Sequence, residues 1–168
     1  MKNECRDWLQ ECIKAFPKLK KYSIICSYKR ISSKSLGRVK GIVQTQRTID
    51  PESLLLEGEA KIRIKRKTTS NFNIEINMNL EKIENPMLRK QAVKYVIIHE
   101  LLHIENKDLL TLSKNYKKRK NKKIHKKDFH NAVLEKFNIA REHDKLPSIK
   151  NVVHMELAMN TIFSKVKI

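Results

Sequence analysis

The chain has 168 residues, 40% hydrophobic and 33% charged, a balance that excludes wholesale disorder and fits a single domain over residues 1–168. Its 37 Lys and Arg against 18 Asp and Glu leave a net charge of +19, so polyanions are its natural partners and a solvated lysine surface is the plainer reading. No stretch approaches the roughly 20 apolar residues of a membrane span, and MKNECRDWLQECIK lacks the apolar run of a secretory signal, so a soluble, cytoplasmic protein without a membrane partner is expected.

Residues 3–16 place Trp8, Leu9, Cys12, Ile13 and Phe16 at three- and four-residue spacings, with Asn3 as the N-cap and Pro17 closing the segment, which predicts an amphipathic helix. Cys5, Cys12 and Cys26 are an odd number without metal-type pairing. They read as a reduced set with no chemistry, Cys5 and Cys12 filling the core from one helix face. Tyr22–Tyr28 is short, apolar and β-branched and predicts a strand; SSKSLGRVKG supplies turn residues, and Val39–Gln46 predicts the next strand. Ala60–Lys65 alternates isoleucine with basic residues, and Thr68–Asn71 reads as a hairpin connection. It leads into Phe72, Ile74, Ile76, Met78 and Leu80, a period-two strand with one wet face, suited to a sheet edge that an extended peptide could join.

Pro86 suits the first turn of a helix running through Leu88, Val93, Val96 and Ile97 into HELLH and ending near residue 113. The stretch 114–127 carries nine Lys or Arg and no acid. It reads as a basic insert, either a solvated loop or a phosphate-contacting surface in which Tyr116 could stack on a base. A second helix follows, with Phe129, Val133 and Phe137 on one face, and a third is expected over 150–164 within an extension of about residues 148–168.

The chemistry concentrates at residues 99–103. Two histidines four apart on a helix project from one face, so His99 and His103 can reach one zinc ion, and the intervening Glu100 can take a proton from water on the metal as general base. Two core histidines with ordinary hydrogen bonds are the alternative, but an accidental HExxH is expected in fewer than roughly one in a hundred chains of this size. Catalytic zinc keeps three protein ligands and one open position. The residues offer His125, His130, Glu135 and His143 for the third, with His125 and His130 about 140° apart on a regular helix. His130, Tyr116 or His143 could supply a donor to the oxyanion.

HELLH followed, after an insert, by H-x-x-x-F resembles the SprT-like and YgjP-like zincins, in which a histidine near H-G-x-x-F-K or H-S-x-x-F-W completes the metal site. The resemblance runs over roughly residues 20–140 and takes in SLGRVKG as the glycine-bearing segment before the zinc helix. Lys126 and His130 depart from the usual residues. The resemblance implies His125 as third ligand and Phe129 as helix anchor. It also implies an α+β zincin-like fold: an N-terminal helix, a small mainly antiparallel sheet, the zinc helix and C-terminal helices.

The activity so implied is a zinc metalloendopeptidase acting on protein or peptide, monomeric, and associated with DNA through Lys114–Lys127 so as to cleave proteins crosslinked to DNA. One alternative is a general or self-inhibited minimal zincin, with His154 or Glu156 folding onto the metal's open position. The other is a nucleic-acid-binding protein with a structural zinc, for which Glu100 would be dispensable.

Overall fold

The computed structural model describes residues 4–32, 35–41, 44–49, 55–56, 62–67, 70–109 and 125–166. The protein is α+β. Helix α1 (Glu4–Ile13) buries Cys5, Trp8, Leu9 and Cys12, the three- and four-residue stripe that makes an amphipathic helix stable once packed. Asn3, its expected cap, lies outside the described residues. Pro17 opens a 3-10 turn, Pro17–Leu19, where its fixed φ is favourable and its missing N–H costs nothing.

Strands β1 (Ser23–Lys29), β2 (Gly37–Gly41) and β5 (Asn71–Asn77) form a three-stranded mixed sheet in the order β1-β5-β2. β1 runs parallel to β5, pairing Cys26 with Ile74, while β2 runs antiparallel, pairing Val39 with Ile74 from the other side. Strands β3 (Gln44–Ile49) and β4 (Ile62–Lys67) form a two-stranded antiparallel ribbon. Gly41 faces Phe72 in one ladder and Gln44 faces Lys67 in the other, and the two ladders belong to separate sheets.

This topology corrects several expectations. β5 is the central strand and has no free edge; β4 pairs with β3 and makes no hairpin with β5; and the sheet carries a parallel pair. The polar face of β5 is not wet either, because Glu75 and Asn77 are buried. Glu75 accepts from Arg38 Nε at 2.5 Å and Lys40 Nζ at 3.1 Å, both on β2. Asn77 donates to the carbonyls of Ser32 and Ser35 and accepts from Asn79 N–H. That last bond caps a 3-10 turn, Met78–Lys82, and ends the strand at Asn77 instead of Leu80. Cys5 and Cys26 are joined as a disulfide that ties α1 to β1, whereas Cys12 remains free and buried.

Helix α2 (Pro86–Glu105) starts where Asn85 accepts from the N–H groups of Met87 and Leu88, with Pro86 at the first position. It is buried nearly all round, because α1, β2, β5, α3 (Lys127–Glu142) and α4 (Val152–Lys165) all pack on it. Val93, Val96, Ile97, Ile98, Leu101, Leu102 and Ile104 lie in its core, and full burial of each such side chain stabilises by roughly 1.5–3 kcal/mol.

Two polar residues share this burial. Lys94, 0% exposed, binds Glu11 Oε2 at 2.5 Å, Asp144 Oδ2 at 2.6 Å and the Ala140 carbonyl at 3.0 Å. Asp144 also accepts from Gln91 and pairs with Lys90. Burial by itself would raise the Asp144 carboxyl, but hydrogen bonds from Lys90, Lys94 and Gln91 outweigh it and hold Asp144 below its ordinary range. The cluster joins α1, α2 and the end of α3 behind the HELLH face.

α2 ends at Glu105, eight residues before the expected position. The chain closes it with two bonds: Lys107 N–H donates to the Ile104 carbonyl and Asp108 N–H to the His103 carbonyl, with Lys107 at φ 55°. This left-handed residue normally favours glycine; here lysine adopts it. Residues 110–124, which hold Tyr116 and most of the basic insert, lie outside the described residues.

Candidate metal centre

His99 and His103 occupy successive turns of α2 with ring centroids 5.0 Å apart, and His125 approaches from the segment that enters α3. The His125 ring stands 4.8 Å from His99 and 5.1 Å from His103, with the two Nε2 atoms of His103 and His125 at 3.1 Å. One nitrogen from each of the three lies within 4.8 Å of the others, close enough to bind a metal ion. Tetrahedral zinc with nitrogen at 2.0–2.1 Å needs its ligands ~3.3 Å apart; the His103–His125 pair is at that spacing, and three imidazoles are a donor set such an ion accepts.

Phe129 fixes this geometry. Its ring centroid is 5.0, 4.9 and 4.8 Å from those of His99, His103 and His125, so one buried side chain on α3 forms a wall shared by all three imidazoles. The resemblance implied Phe129 as helix anchor; the structure places its ring against all three histidines.

Burial, followed by the charges of His103, His125 and His130, holds His99 down to about 3. Burial and the His125 charge lower His103 against the opposing pull of Asp108, and burial and the His130 charge lower His125. All three imidazoles are therefore neutral at pH 7, the form that donates a lone pair to a metal.

Glu100 turns towards β2. It is 7% exposed, and burial pushes its carboxyl up to about 7, with a hydrogen bond to the Val39 backbone pulling the other way. Gly37 allows this approach: a Cβ there would strike Val96 Cγ1, with Glu75 O at 3.3 Å and Glu100 Cγ at 3.7 Å. The glycine-bearing segment thus has a physical task, bringing the β2 backbone against the helix beside Glu100. A carboxyl raised towards neutrality, one residue from a candidate metal ligand, can both take and return a proton.

The other candidates go elsewhere. His130 pairs through Nδ1 with Glu156 Oε1 at 2.9 Å and is outside the triad, as are Glu135 and His143. His154 is exposed on α4, and Glu156 contacts His130, so neither belongs to the group that could hold the ion. Sequence reasoning missed the Val39 bond, the Asp108 contact with His103 and the His130–Glu156 pair. Only the glycines of SLGRVKG signalled any of them.

No protein-family model matches this chain, and no curated protein or solved structure matches it.

Proposed function

We propose that the protein is a zinc-dependent metalloendopeptidase with a zincin-like catalytic arrangement. The observation that carries the reading is the convergence of three imidazoles, from His99, His103 and His125, next in sequence to the buried carboxyl of Glu100.

A bound zinc ion would supply Lewis acidity to water and to a peptide carbonyl. His99, His103 and His125 would hold it. Glu100 takes a proton from the attacking water and returns it to the departing amine, its carboxyl oriented by Val39. Among the described residues β2 is paired on one side only, so it suits an extended substrate better than β5, which is paired on both sides.

The SprT-like resemblance and the charge of +19 extend the proposal to substrates held on DNA. A depression of about 520 Å³ at the end of α2, lined by Lys18, Lys21, Lys107, Glu105 and Tyr22, adds described basic and aromatic groups to those of the insert. The test is cleavage of a DNA-binding protein by the zinc-loaded chain, with and without single-stranded DNA, against Glu100→Gln. DNA-stimulated cleavage absent from the variant supports the whole reading; cleavage indifferent to DNA leaves a general peptidase. Zinc binding without cleavage, unaffected by Glu100→Gln, points to a structural metal.

A further inference from the structure

Three helices meet beside the triad. His130, in the first turn of α3, directs Nδ1 to Glu156 Oε1 on α4, and its ring stands 6.2 Å from that of His125. α4 is docked by Met155, Met159 and Phe163, all buried, with Phe163 6.1 Å from Tyr95, the residue one turn before His99 on α2. Glu156 is therefore held by the core. Its charge also reaches Tyr95, whose hydroxyl is raised by burial and then by Glu156.

An ionised carboxylate can only accept, so Nδ1 of His130 carries the proton of that bond, and in the tautomer this selects the lone pair belongs to Nε2. Nε2 has no hydrogen-bond partner among the described residues, and the side chain is 32% exposed. Among the described residues the fold therefore orients a ring nitrogen beside a candidate metal ligand and leaves it without a partner.

Resting on the peptidase reading, we infer that His130 is a substrate-binding residue whose Nε2 accepts a hydrogen bond from a backbone N–H of the bound peptide. Glu156 is the positioning residue that fixes its tautomer. The extension over α4 is then part of the substrate site and no plug.

The test uses the zinc-loaded full chain, an internally quenched peptide and versions of it with one N-methyl group on each amide flanking the cleaved bond. At one position N-methylation raises the wild-type KM about five- to tenfold at unchanged kcat, the effect of one lost hydrogen bond. His130→Phe and Glu156→Leu raise the KM for the parent peptide similarly and lose that discrimination. A residue that merely pins α3 to α4 would lower Tm and leave the discrimination intact; retention in both variants overturns the inference and spares the peptidase reading. Nitrogen NMR of the His130 ring in metal-free protein checks the tautomer without turnover: Nδ1–H in the wild type is expected, and Nε2–H overturns the hold by Glu156. A wild-type chain that cleaves no peptide overturns the peptidase reading and the substrate role with it, whatever the tautomer.

Discussion

Asp108 Oδ2 lies 3.6 Å from Nδ1 of His103, and the backbone bond from Asp108 N–H to the His103 carbonyl is what brings it there. The stop signal of α2 and the outer support of a candidate metal ligand are thus one structure. A carboxylate on the far nitrogen fixes which nitrogen faces the metal and strengthens its donation. Asp108→Ala is expected to weaken zinc binding about 10- to 100-fold, read by competition with a chromophoric chelator. Unchanged affinity would dissociate Asp108 from the site.

His125 and His130 separate cleanly by metal affinity. His125→Ala removes a ligand and should raise the zinc Kd by at least about a hundredfold, more than the loss of an outer-shell partner. His130→Ala should stay within about tenfold. The reverse ranking would move the third ligand to His130.

Glu100 couples the site to stability. Its folded value, about 7, is raised above the ordinary 4.5, so its contribution is fully present below about pH 4.5 and is lost as pH rises through 7. In metal-free protein at pH 8 the buried ionised carboxylate costs up to about 3 kcal/mol. Metal-free Glu100→Gln should accordingly be more stable than the wild type at pH 8, with the gap closing towards pH 4.5, measured by urea unfolding in chelator. The same variant should keep zinc and lose turnover. A stability difference independent of pH would place the carboxyl in water.

Gly37→Ala puts a methyl group into Val96 and close to the Glu75 carbonyl. Overpacking of this kind costs about 1–3 kcal/mol, and moving β2 away also disturbs the Val39 bond to Glu100. Both Tm and kcat should fall, zinc affinity much less.

Asp144→Ala leaves Lys94 and Lys90 without their best-buried partner, and breaking such a cluster costs about 3–5 kcal/mol. Lys94→Met with Asp144→Leu should recover much of that loss in a denaturant titration. No recovery would mean the cluster acts through something other than charge pairing.

The three-histidine cluster was legible because its signal is local: HELLH needs only helical spacing, and H-x-x-x-F needs only that His125 precede the helix that carries Phe129. The sheet was not, because period-two alternation states which residues share a face and nothing about how many neighbours a strand has. Glu75 and Asn77 read as wet residues because the groups that satisfy them, Arg38, Lys40, Ser32 and Ser35, come from a distant stretch of chain. Lys94 hid in the same way, its partners lying on α1 and beyond α3. The end of α2 was misplaced because lysine, not glycine, takes the left-handed position at residue 107.

Gly41 of β2 pairs with Phe72 of β5 and Gln44 of β3 with Lys67 of β4, so the outer ribbon and the strand whose Val39 meets Glu100 belong to separate ladders. The strand beside Glu100 is braced by β5 and by helix α2. Substitutions that loosen only the β3–β4 pairing should therefore leave the backbone next to Glu100 in place.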